Sequence, residues 1–74
     1  MNAKTQTEQS RLIRLPEVLR MTGLSRTGVY DRIRLKEFPA PVSLGRSAVA
    51  WPEHEVKAWI QARIDAGRTI GDAA

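Results

Sequence analysis

The stretch from Thr22 to Lys36 constrains this chain most, because it reads as a tight turn feeding a short basic helix. Gly23 supplies the positive φ that a sharp helix-to-helix turn needs, and Leu24 is the apolar residue beneath it. Ser25 is placed to cap the following helix, its hydroxyl accepting a free N–H two or three residues on. Val29 and Ile33 recur at the four-residue spacing of a buried side. At about 100° per residue the opposite side carries Thr27, Asp31 and Arg34, with Tyr30 at its flank. A helix pinned by an aliphatic pair and showing arginine and hydroxyl groups outward suits a DNA groove.

The elements around this stretch fit that reading. Pro16 sits where a first helical turn tolerates it, so a first helix is expected over about Pro16 to Thr22. Arg11 to Leu15 is too short for a helix and reads as extended. Two short helices joined by a turn containing Gly23 match a helix-turn-helix unit, although a plain helical hairpin would look similar. Phe38-Pro-Ala-Pro41 ends the second helix. Val42–Leu44 and Ala48–Trp51 then form two short apolar runs around Gly45, Arg46 and Ser47, expected to be a β-hairpin with Arg46 at its tip. A hairpin this short must lean on the helices. Pro52 is expected to open a third helix, with Glu53 and Glu55 favourable to its dipole. Val56, Trp59, Ile60 and Ile64 make its apolar stripe, and Gly67 is the natural stop. The expected fold is mainly α with a small β-hairpin, a winged helix-turn-helix over residues 11–66. Residues 1–10 are expected to be a disordered tail and residues 67–74 a frayed one.

Seventy-four residues allow one domain, which buries only about 60% of the surface its unfolded chain exposes. With no cysteine, disulfides and thiolate metal sites are excluded. No apolar run approaches the roughly 18 residues of a membrane span, and no signal-peptide pattern is seen. A cytoplasmic protein, nucleoid-associated when bound to DNA and without membrane partners, is expected. The net charge of +4 is unevenly spread. Residues 11–36 hold seven bases against two acids, whereas residues 37–74 carry a net −1. Basic charge thus gathers on the two-helix unit, as phosphates would require, although a solvated basic face with no partner would look the same.

Three blocks of residues resemble the AlpA family of small phage-type regulators, within the wider MerR-like and excisionase-like winged-helix group. The first is Arg11-Leu-Ile-Arg-Leu-Pro-Glu-Val18; the second is Thr22-Gly-Leu-Ser-Arg26 with Val29, Tyr30 and Ile33. The third is Phe38-Pro39, Pro41-Val42 and Leu44-Gly45, followed by Trp51, Glu55, Val56, Trp59 and Ile60. The resemblance implies a double-stranded-DNA-binding regulator encoded in a prophage or other integrated element, acting on transcription or, alternatively, bending DNA as an excisionase or recombination directionality factor. A homo-oligomer on DNA, and other phage or host DNA-binding proteins, are the further partners it allows. The chain departs from the family pattern in three places. Gly28 stands where a threonine is common, and Asp31 where a base is common, so the groove chemistry is expected to differ; an acid there can accept a cytosine amino group but repels phosphates. Lys36 stands where a glycine usually closes the second helix, and since a left-handed lysine costs about 1 kcal/mol, a different exit is expected. The wing arginine appears as Arg46 with Ser47 following it, which shifts the expected aim of the wing tip.

The residues expected to meet DNA are Ser25, Arg26, Thr27, Tyr30, Asp31 and Arg34 of the second helix and its cap, with Arg46 at the wing. Arginine takes guanine's two acceptors bidentately, Thr27 suits a base edge or a thymine methyl, and Tyr30 a phosphate. The plainer alternatives are that Tyr30 packs, that Arg26 pairs with a nearby acid and that Arg46 is an ordinary turn residue. Arg11 and Arg14 could add phosphate contacts or be solvated charge, and Arg32 lies off the outward side. Trp51 and Trp59 could stack bases, but their apolar neighbours favour a core role. His54 has no partners at triad or zinc spacing. No paired carboxylates, phosphate-cradling glycine loop or nucleophile motif is present, so neither an enzyme, a metal site nor a cofactor is expected. The rival from another class is a protein-interaction adaptor whose basic helix docks an acidic partner, with Asp31 in its favour.

Overall fold

A computed structural model describes the backbone of residues 11–73 and the side chains through Arg68; the expected tail over residues 1–10 lies outside the described residues. The element order is β1 (Leu12–Ile13), α1 (Leu15–Thr22), α2 (Arg26–Arg34), β2 (Val42–Gly45), β3 (Ala48–Pro52) and α3 (Glu53–Ala73). This is the mainly helical fold with a wing-like hairpin that the sequence implied, in a winged helix-turn-helix arrangement.

The turn between α1 and α2 closes as its residues dictate. Gly23 is left-handed at φ 76°, and its N–H donates to the Leu19 carbonyl at 2.8 Å. The Thr22 hydroxyl donates to the Val18 carbonyl at 2.8 Å and accepts the Leu24 N–H at 3.2 Å, so one side chain satisfies groups on both sides of the turn. Ser25 then caps α2, its Oγ accepting the Gly28 N–H at 3.0 Å.

The sheet has three strands in the order β1-β3-β2, all antiparallel. Within residues 11–15, read as extended from sequence, Leu12–Ile13 supply the third strand, Leu12 facing Pro52 and Ile13 facing Trp51, while Leu15 already opens α1, one residue before the expected start. The Glu53 N–H donates to the Arg11 carbonyl at 2.8 Å, which ties the start of α3 to β1. Pro52 ends β3, and α3 begins one residue later, at Glu53, than the sequence indicated.

The core is Ile13, Val18, Val29, Phe38, Ala50, Trp51 and Val56. Trp51 is fully buried, and its indole N–H donates to the Pro39 carbonyl at 3.0 Å. Trp59 packs edge-on against Phe38, with centroids 4.9 Å apart, and donates to the Glu37 carbonyl at 2.7 Å. Trp51 thus belongs to the core and the half-buried Trp59 packs against it, and both indole N–H groups staple the segment between α2 and β2.

Two expectations are corrected. Lys36 is left-handed at φ 63°, so α2 ends as a glycine would end it. The Lys36 N–H donates to the Ile33 carbonyl at 3.0 Å and the Glu37 N–H to the Arg32 carbonyl at 2.7 Å, a closure that requires this geometry. With the Glu37 carbonyl held by Trp59 and Phe38 buried beside it, the tertiary lock outweighs the cost of about 1 kcal/mol. Gly67 does not stop the last helix, which continues to Ala73 for a total of 21 residues. A glycine inside a helix costs about 1 kcal/mol without breaking it when no left-handed cap follows.

Candidate nucleic-acid interface

Helix α2 rises from the turn with one side on the core and the other in solvent. Val29 is fully buried and Ile33 half-buried; Ser25, Arg26, Thr27 and Arg34 are exposed, and Tyr30 and Asp31 half-buried. The outward residues expected from helical spacing are thus brought to one surface, apart from Tyr30. That side chain packs edge-on against Trp51, with centroids 6.4 Å apart, while the Arg26 guanidinium lies 5.9 Å from its ring centroid. Tyr30 is both a packing residue and the platform that holds Arg26.

The two ends of α2 differ in electrostatics. Near its C-terminus, Arg34 donates to Asp31 at 2.6 Å, so the acid that departs from the family pattern is held by the arginine one turn later. Arg32 turns back, its Nη1 donating to the Gly28 carbonyl at 3.3 Å. A Cβ at Gly28 would stand 3.2 Å from the Ser25 Oγ, a tight approach, and 3.5 Å from the Arg32 Nη1, an ordinary contact, so a threonine there would press on the cap. Elsewhere, Arg20 pairs with Glu17 and Arg11 with Glu53 at 3.4 Å. The Arg20 hydrogen bond and charge hold the Glu17 carboxyl below its usual range. Among the described residues, no ion pair engages Arg26, Arg14 or Arg46.

The hairpin brings Arg46 to the wing tip. A register shift between Ser43 and Gly45 inserts one extra residue, Gly45 is at φ 104°, and Arg46 itself is left-handed at φ 52°. Arginine at such a φ costs roughly 1 kcal/mol relative to glycine, so the position keeps its side chain at the expense of backbone strain.

Where the start of α1, the start of α2 and the wing meet, a cleft of about 210 Å³ opens to solvent. Arg14, Arg26, Tyr30 and Ser47 line it, over an aliphatic floor that includes Leu15 and Val49. Sequence reasoning left Arg14 undecided and passed over Ser47. Neither has a periodic signature, because what joins them is the wing folding beside α1. No group of His, Cys, Asp and Glu among the described residues could hold a metal ion, and no described helix is long and apolar enough to cross a membrane.

Comparison with known proteins agrees with this architecture. Residues 11–64 match the family model described as prophage CP4-57 regulatory protein (AlpA). Protein ORF88 of Enterobacteria phage P4, itself uncharacterised, is 52% identical over 63 residues, covering 85% of this chain and 70% of its own. The DNA-binding transcriptional activator AlpA of Escherichia coli K12 is 36% identical over 59 residues, covering 72% of this chain and 84% of its own. The matched span holds the turn, both short helices, the wing and the first half of α3, and on these grounds the chain belongs to the AlpA family of prophage regulatory proteins.

Proposed function

We propose that this protein is a sequence-specific regulator of transcription that binds double-stranded DNA, with α2 in the major groove and the β2–β3 wing on the adjacent backbone. The observation that carries the reading is the exposed side of α2, which presents Thr27 and Arg34, together with Arg26 at its start and Arg46 at the wing tip, two arginines that have no acidic partner among the described residues. Arg34 reads guanine after leaving Asp31; Thr27 meets a base edge or a thymine methyl. Arg26 and Arg46 supply backbone contacts, which position without specifying. The name of the Escherichia coli relative, a transcriptional activator that binds DNA, supports the same function.

One such module covers about 600–1,000 Å² of protein surface, so useful specificity requires copies side by side on half-sites one helical turn apart. With about five phosphates neutralised, log K falls with log salt at a slope of about −4.5. Anisotropy titration of labelled duplexes from around the protein's own gene, against random duplex at two salt concentrations, tests the reading. A preference of about 10³-fold or more for one fragment is the expected result. Absence of duplex binding at low salt overturns it in favour of a protein-interaction adaptor. A specific site over an attachment site, not a promoter, would place the protein among excision factors.

A further inference from the structure

We infer that the cleft between the starts of α1 and α2 and the wing is a seat for one backbone phosphate of duplex DNA, gripped by Arg14 and Arg26 with the hydroxyls of Tyr30 and Ser47. The inference rests on the duplex-DNA reading above and adds to it a fixed anchor that sets the height of α2 in the groove.

Three observations converge on an anionic ligand. The residues lining it that carry polar side chains are two arginines, a tyrosine and a serine, with no acidic residue among them. The nearby acids are already engaged, Glu17 by Arg20, Asp31 by Arg34 and Glu53 by Arg11 and Lys57, whereas Arg14 and Arg26 have no such partner among the described residues. The site is also preorganised. Trp51 is fully buried, Tyr30 packs against it, and Arg26 lies over the Tyr30 ring at 5.9 Å, so the core gives one guanidinium a platform that biases its position before any ligand arrives. Guanidinium groups and hydroxyls complement the oxygens of a phosphodiester, and the planar fork of arginine favours a bidentate grip. The cleft has room for a phosphate group but not for a folded partner. Position favours DNA as the phosphate's source, because the lining residues come from the base of α2 and from Ser47 beside the wing tip, both facing the proposed duplex.

The test uses the full chain, with Arg14→Gln and Arg14→Lys, on the same labelled duplexes at several salt concentrations. A parallel series of duplexes carries a single neutral methylphosphonate at successive positions. Arg14 is exposed and unpaired, so both variants should keep the thermal midpoint; Ser47→Ala serves as a second probe at the opposite wall. Arg14→Gln is expected to weaken specific and random duplex alike, about tenfold, and to make the salt slope shallower by about 0.9, while Arg14→Lys restores the slope. One methylphosphonate position should weaken the wild type several-fold more than Arg14→Gln, which keeps only Arg26 on that phosphate.

If the wild type binds duplex and Arg14→Gln keeps its affinity, slope and methylphosphonate profile, the phosphate seat is wrong and the groove reading stands. If the wild type binds no duplex, both fail. Inorganic phosphate titrated into the free protein separates the sources: saturable amide shifts at the cleft, with Arg14→Gln unchanged on DNA, would make it a free-anion site and overturn the inference. Displacement of bound protein by polyglutamate but not by excess random duplex would overturn it in favour of an acidic protein partner.

Discussion

The two ends of α2 both carry arginine, Arg26 at one and Arg32 and Arg34 at the other, and use it differently. At the N-terminal end, Arg26 rests on Tyr30 beside Arg14 and the wing, with no acid engaging it among the described residues. At the C-terminal end, Arg34 is held by Asp31 and Arg32 by the Gly28 carbonyl. The number of charges in a stretch is therefore a poor measure of charge available to a partner. The open end is suited to hold any phosphate backbone. On the proposed reading, the closed end releases Arg34 from Asp31 only where a guanine edge takes its place. Asp31 acts on this account as a filter against indiscriminate binding, since the like-charge repulsion of phosphate and its grip on Arg34 both penalise non-specific contact.

The largest expected effect that would break this contrast comes from Arg34→Ala. Loss of a bidentate base contact should cost the specific site about 1–3 kcal/mol and change random-duplex binding little, because Arg34 stays with Asp31 there. Equal losses on both duplexes in an anisotropy titration would make Arg34 a phosphate contact. Next, Arg46→Ala should weaken specific and random duplex equally and make the salt slope shallower by about 0.9. Arg46→Gly should lose the same DNA affinity while its thermal midpoint stays level or rises, since glycine removes a left-handed strain of about 1 kcal/mol. A drop in midpoint would show that the tip arginine is retained for stability.

Asp31→Asn should have a smaller, opposite effect, tightening random-duplex binding a few-fold and narrowing the ratio between specific and random sites. The smallest effect concerns Glu17. Its carboxyl is lowered in the folded state by Arg20, so its contribution is complete above the ordinary value near 4.5 and is lost as pH falls through the lowered one. Glu17→Gln should flatten the fall of the thermal midpoint below pH 4.5 and lower the midpoint slightly at neutral pH, where the contribution of the exposed pair is complete.

Most of the fold was legible because local chemistry and tertiary need agree: Gly23, Ser25, Pro39, Pro41 and the 29/33 spacing each specify what the structure does. Reading failed where long-range contacts decide. Lys36 is left-handed because Trp59 and Phe38 fix the segment after it, and no local propensity encodes that. The pairing of residues 12–13 with 51–52 depends on the whole chain having folded back. At the site, helical spacing gave the outward side of α2. The partition of its arginines into paired and open ones followed from rotamers, and Arg14 and Ser47 joined the surface only through the position of the wing.

The central claim is that the open end of α2 and the wing form the DNA surface. Backbone-amide and arginine side-chain shifts, followed while one duplex is titrated into labelled protein, test it most directly. The expected result is that Arg14, Arg26, Tyr30, Arg46 and Ser47 shift first and on any duplex, with Asp31 and Arg34 joining only on the specific one. Shifts confined to α3, or to Arg34 and Lys36 with Arg14, Arg26 and Arg46 unmoved, would contradict it.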